Sequence, residues 1–231
     1  MSFTHDYQIV PLGDSGLTIY LTTDEISETA HQQIKTLWLQ IEQCAIIGLI
    51  ECVPAYASLA IYYDPRKISF KQLKPLIQEQ VHLCVQQITS QNHRHIKIPV
   101  CYDPEFAPDI ELISIQLNLS IEEIINLHTS RSYLVYMLGF IPGFAYLGKL
   151  PETLFVARHA TPRLAIPAGS VGIAGYQTAI YPTKSPAGWQ LIGRTPLTLL
   201  TQNQDTPTLL HPGDRVSFQP IDKHEFLDLE Q

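Results

Sequence analysis

Apolar residues fall at Ile26, Ala30, Ile34, Leu37 and Ile41 of "DEISETAHQQIKTLWLQIEQC", a spacing that gathers them on one face of a helix. On either side of this segment the pattern shortens to that of strands. The stretch "YQIVPLGDSGLTIYL" reads as two short strands around a Gly13-Asp14-Ser15-Gly16 turn, and "IIGLIECV" and "SLAIYYD" are β-branched and aromatic runs joined by a turn at Pro54. A second helix is predicted from Ser69, which has capping-box spacing to Gln72. Pro75 inside it predicts a bend or a later start. The run "HIKIPVCY" (95–102) closes the series as a strand. This alternation predicts a small α+β sandwich with its helices on one face of an antiparallel sheet.

A different pattern begins near Asp103. Two short helices are predicted first, from Pro108 to Leu117 and from Ile121 to Thr129. Proline suits the first helical position, and Ser120 and Glu123 again have capping-box spacing. After Arg131 come nine of the twelve glycines, frequent prolines, and short strands such as "VGIAGY", "TAIYP" and "WQLIGRT". Many short strands between Gly/Pro turns predict an all-β barrel or sandwich. A domain boundary is therefore expected near residue 93, giving domains 1–92 and 93–231.

Composition adds limits. With 231 residues and 45% hydrophobic content the chain is long enough for real cores. The N-terminus "MSFTHDYQIV" has neither a basic nor an apolar leader region, so no signal peptide is expected. The longest apolar run, "YMLGFIPGFAYLG", is too short to span a bilayer. Cys44, Cys52, Cys84 and Cys101 form no C-x-x-C pair, which predicts reduced thiols and a cytoplasmic setting. A net charge of −7 argues against nucleic acid as a partner. The charge is nevertheless uneven. From Thr153 to Gln204 there is no Asp or Glu, whereas Arg158, Arg163, Lys184 and Arg194 are basic. Such a stretch would draw an anionic ligand or acidic partner, or else consists of solvated strand ends.

Several motifs can be weighed against their plain structural alternatives. The helix pair resembles a helix-turn-helix, but its second helix opens on Glu122 and Glu123 and carries no Lys or Arg, which excludes phosphate neutralisation there. His128 lies on the apolar face of that helix, as a core histidine or an acid/base group. No histidine set has metal-ligand spacing. The stretch "PAGSVGIAG" places glycines at 169, 172 and 175. It matches neither a Walker loop nor a dinucleotide fingerprint, and Ser170 lacks the upstream glycine of a hydrolase elbow. What remains is a glycine-lined loop near Arg163, Gln177, Tyr181, Trp189 and Arg194. That set can supply amide donors, guanidinium forks and aromatic walls for a carboxylate or phosphate.

The segments "PLGDSGLTIYL", "VPAYASLAIYYDP", "YMLGFIPGFAYLG", "TPRLAIPAGSVGIAGYQTAIYPTKSPAGWQLIGRTP" and "PGDRVSF" resemble, in order, the signature blocks of the prokaryotic 5-oxoprolinase B-subunit family. That family is also called allophanate hydrolase subunit 1 or sporulation kinase inhibitor. The resemblance implies a ferredoxin-like N-terminal domain and a cyclophilin-like β-barrel C-terminal domain that carries the two short helices near its start. It implies direct partnership with the 5-oxoprolinase C subunit, together with the A subunit, in an ATP-dependent, magnesium-requiring opening of 5-oxoproline to L-glutamate. ATP would belong to the complex, since no nucleotide or metal site is evident in this chain. The alternative it implies is a regulator that binds a sensor histidine kinase and blocks its autophosphorylation. Within the signature blocks, Arg163 and Arg194 are expected to bind anionic groups, with His128 as acid/base candidate. Gly169, Ser170, Gly172 and Gln177 are expected to position substrate, and Phe144, Tyr181 and Trp189 to wall the pocket.

Overall fold

A computed structural model describes residues 6–22, 26–84, 94–201 and 207–230. The chain divides into two compact units, Met1–Asn92 and His93–Gln231. In the first, β1 (Tyr7–Pro11) and β2 (Gly16–Leu21) form a hairpin, followed by α1 (Glu28–Gln43), β3 (Leu49–Pro54), β4 (Ser58–Tyr63) and α2 (Phe70–Cys84). The sheet is antiparallel throughout, in the order β1-β2-β4-β3. Alternation in β2 and β4 sends Leu17, Ile19, Leu59 and Ile61 into one core with Ile34, Leu37 and Ile41 of α1 and Leu73 and Ile77 of α2. Ser27 caps α1 by accepting a hydrogen bond from the Ala30 amide, so Ile26 precedes the helix. Helix α2 runs through Pro75 without ending.

The second unit opens with β5 (His95–Cys101), α3 (Ile110–Leu117) and α4 (Ile121–Thr129). Strands β6 (Ser132–Leu138), β7 (Ala145–Gly148), β8 (Arg163–Ile166), β9 (Ser170–Ala174), β10 (Gln177–Ile180), β11 (Ser185–Ala187), β12 (Gln190–Arg194) and β13 (Arg215–Ile221) follow, with α5 (Lys223–Leu229) last. Seven strands close a barrel in the order β10-β7-β6-β13-β5-β12-β9, and β8 and β11 form a separate ribbon. Closure depends on β5 and β13, which pair in parallel from Arg215 opposite His95 to Ile221 opposite Cys101. Ile98, Val100, Tyr133, Val135, Ile173, Ile192, Val216 and Phe218 fill the interior. The fold is thus mixed, helices with a closed seven-stranded barrel. Helix α4 has the full Ser120–Glu123 capping box, and α5 has a second one, Asp222–Glu225. All four cysteines are free thiols. Among the described residues, no helix is long and apolar enough to cross a membrane.

Candidate functional site

Pairing of β7 with β10 sets Ala145 opposite Ile180, which brings the flanking Phe144 and Tyr181 together. Their ring centroids lie 5.0 Å apart at 68°, and Trp189, just before β12, meets Phe144 at 5.9 Å and 86°. Edge-to-face pairs of this kind contribute about 0.5–1.5 kcal/mol each beyond their buried area. The three rings wall a cavity of about 310 Å³. Tyr146 and the exposed Phe140 extend that wall, Phe140 from a left-handed backbone conformation (φ 67°). Burial pushes the Tyr181 hydroxyl up to about 12, against a hydrogen bond from the Trp189 backbone that pulls the other way. It stays a neutral phenol at any physiological pH.

The polar side of the cavity comes from Arg158, its cation, and from His159. The Arg158 guanidinium carbon stands 5.8 Å from the centre of the Trp189 ring, in cation–π range. The chain on which these residues lie, 157–162, has no regular secondary structure but is tied down at several points. The His159 amide donates to the Gly188 carbonyl at 2.7 Å, and the Gln190 side chain donates to the Ala157 carbonyl at 3.1 Å.

The strongest tie is Asp109. Its side chain is 1% exposed and accepts from both Arg163 guanidinium nitrogens, at 3.0 and 2.5 Å. It also accepts from the Leu191 amide at 2.6 Å, and His159 Nε2 lies 3.2 Å away. Burial alone would raise its pKa. Hydrogen bonds from Arg163, Leu191 and His159 outweigh burial and hold the carboxyl below its ordinary value. Asp109 precedes α3 in the N-cap position yet makes no side-chain cap bond, because its oxygens are committed to these donors. The predicted start of this helix at Pro108 shifts to Ile110 accordingly.

The structure brings Phe144, Tyr181 and Trp189 together at the cavity, with Gly172 packed against Trp189 and Tyr181, but the other predicted residues do not line it. Arg163 is corrected from anion binder to partner of Asp109. Arg194 is likewise engaged, with the Ala168 carbonyl at 2.8 Å and Glu230 at 2.9 Å. The glycine-loop amides are corrected too. Gly169 donates to Tyr181 O and Gly175 to Val156 O, each at 2.7 Å. Gly172 lies within β9, paired on both sides with β10 and β12. The Ser170 hydroxyl is spent on the Pro167 carbonyl at 2.8 Å. Gln177 opens β10 opposite Gly148 and Ala174, off the cavity wall.

His128 is corrected to a core residue. It is 0% exposed and stacks on Phe218 at 4.4 Å. Thr178 gives its hydroxyl proton to Gly172 O at 3.2 Å, so it accepts from His128 Nε2 at 3.0 Å. Nδ1 then accepts from the Tyr102 hydroxyl at 2.8 Å. Burial drives the imidazolium pKa down to about 3, from 6.5. A histidine buried neutral stabilises the fold fully above its unfolded pKa, and that stability is lost as pH falls from about 6.5 toward 3, at about 1.4 kcal/mol per unit. Urea unfolding of a Trp38→Phe background, followed through Trp189, is expected to show this slope between pH 6.5 and 4.5. Adding His128→Gln should flatten it by about one proton.

Arg158, His159 and Asp109 were missed as site residues in the sequence. Arg158 did carry a signal, as one of the four Lys and Arg residues of the acid-free stretch. Comparison with known proteins places this cavity in context. The family model for the carboxyltransferase domain, subdomain C and D, matches residues 7–210. The 5-oxoprolinase B subunit of Bacillus subtilis is 42% identical over 230 residues, covering 95% of each chain. The chain belongs to the 5-oxoprolinase B-subunit family. The Haemophilus influenzae member is 41% identical over 91% of this chain and 96% of its own. The urea carboxylase of Kluyveromyces lactis superposes with a TM-score of 0.80 at 20% identity, over 99% of this chain and 23% of that one. The last likeness concerns the fold alone.

Proposed function

We propose that this chain is the B subunit of an ATP-dependent 5-oxoprolinase, working in the cytoplasm with the A and C subunits to open 5-oxoproline to L-glutamate, and inactive alone. The observation that carries this reading is the 42% identity to the Bacillus subtilis 5-oxoprolinase B subunit over 95% of both chains. A lactam resists hydrolysis, and phosphorylating its oxygen would make that oxygen a leaving group. The chain's own contribution is a preorganised cavity of aromatic walls beside a cation, suited to holding and orienting a small ring while water is kept off its faces. Magnesium–ATP does not fit these residues. Magnesium takes oxygen ligands, whereas no carboxylate lines the cavity. Among the described residues, no group of three or more His, Cys, Asp or Glu stands together to hold a metal ion. In this reading ATP is held elsewhere in the complex.

The fold also supports two finer readings. From β2 onward the first unit runs β-α-β-β-α, and β1 occupies the sheet edge beside β2. That is the ferredoxin-like order with its closing strand moved to the front. The second unit is read as a cyclophilin-like barrel.

Purified A, B and C subunits, mixed with ATP and 5-oxoproline, test the function directly. Glutamate release is expected only when all three are present. Undiminished release without this chain overturns the reading.

A further inference from the structure

We propose that Arg158 is the residue by which this cavity recognises the carboxylate of the ring compound, 5-oxoproline. This rests on the reading of the cavity as the chain's ligand site. Three arginines are candidates for the anion contact, and the structure ranks them. Arg163 spends its guanidinium on Asp109 through both terminal nitrogens. Arg194 spends its own on Ala168 and Glu230 and lies against Phe226. Arg158 lines the cavity with its guanidinium over the Trp189 ring, and its charge acts on the neighbouring Tyr146 and Tyr181 hydroxyls rather than on a carboxylate. A guanidinium beside an aromatic ring without a carboxylate partner still has its N–H donors for a planar anion.

The surroundings favour the same chemistry. A volume of about 310 Å³ is at the small end of ligand cavities and suits a single ring. Phe144, Tyr181 and Trp189 stand edge to face, which gives that ring flat apolar surfaces on more than one side. The one buried carboxylate nearby, Asp109, is matched by Arg163, so it does not oppose a second negative charge. No Asp or Glu occurs from Thr153 to Gln204, and none lines the cavity to compete for Arg158. The 157–162 segment is fixed by Gly188, Gln190 and Asp109. Arg158 is therefore carried on an ordered support, and less freedom is lost when ligand binds.

Isothermal titration of the full chain tests this with three probes: 5-oxoproline, cyclopentanecarboxylate, and the uncharged lactam 2-pyrrolidinone. Both carboxylates are expected to saturate one site. Arg158→Gln should weaken both by about tenfold or more, the loss of one charge-assisted contact, and leave 2-pyrrolidinone binding as it was. Arg194→Gln should leave all three within about twofold, the scale of an exposed pair. Unchanged carboxylate binding in Arg158→Gln overturns the proposal, as does equal weakening of all three probes or no saturable carboxylate binding by the wild type. The enzyme reading is judged separately. If glutamate release proves independent of this chain while Arg158-dependent carboxylate binding persists, that reading falls and this one stands. If release requires the chain but Arg158→Gln binds normally, only this proposal falls.

Discussion

Asp109→Ala is expected to cost the barrel unit about 3–5 kcal/mol, the penalty for breaking a buried ion pair from one side. The substitution strands more than one group. Arg163 loses both of its bonds, at 3.0 and 2.5 Å, with its side chain only 33% exposed. The Leu191 amide loses its acceptor at 2.6 Å, and a buried amide without a partner carries its full desolvation penalty. Arg163→Ala should be of similar severity, since it leaves the Asp109 carboxylate buried and unmatched. Replacing both by leucine should cost clearly less than the sum of the single changes, because no charge is then left alone. Urea unfolding at pH 7, read through Trp189 in the Trp38→Phe background, measures all three. A loss below about 1 kcal/mol for Asp109→Ala would show that the cluster is solvated and the pair a surface one. Because Asp109 also fixes His159, the same variant should loosen the 157–162 segment. Its carboxylate affinity should fall even where the fold survives.

This cluster marks the limit of what the chain order makes legible. The capping box of α4 reads directly from Ser120 and Glu123, three residues apart, and the helical stripe of α1 from residues three and four apart. Asp222 and Glu225 spell a second box just as plainly and could have been found the same way. Asp109 and Arg163 are 54 residues apart, and nothing local to either announces the other. The same holds for the parallel pairing of β5 with β13 that closes the barrel. Composition could predict a barrel but not which strands seal it. For the cavity, Tyr181 and Trp189 stand out beside the glycine triplet in the sequence, whereas Phe144 enters only through the resemblance to the family blocks. The choice among cations was not readable. It depends on which arginine already has a partner, and that is a property of the folded chain.

Gly169→Ala is the second large expected effect, a loss of about 3 kcal/mol or more from strain and collision together. Gly169 has φ +80°, and an added Cβ would fall 2.2 Å from the Thr195 carbonyl oxygen, a backbone atom that cannot swing away. The same turn holds the cavity wall. Gly169 donates to Tyr181 O, Tyr181 donates back to Ser170 O, and Thr195 donates to Gly169 O. Pushing Thr195 aside therefore displaces Tyr181 from its contact with Phe144. Gly175→Ala is the internal control. Its φ is also positive, +57°, but nothing lies within 4 Å of the added Cβ, so only the left-handed backbone cost of about 1–2 kcal/mol applies. Urea unfolding of the two variants separates collision from conformation. Near-equal losses would mean that the Thr195 carbonyl yields and that "PAGSVGIAG" is glycine-rich for its turns alone. The larger loss expected at Gly169, with weaker carboxylate binding beside it, assigns that glycine to the close approach that seats Tyr181 in the cavity wall.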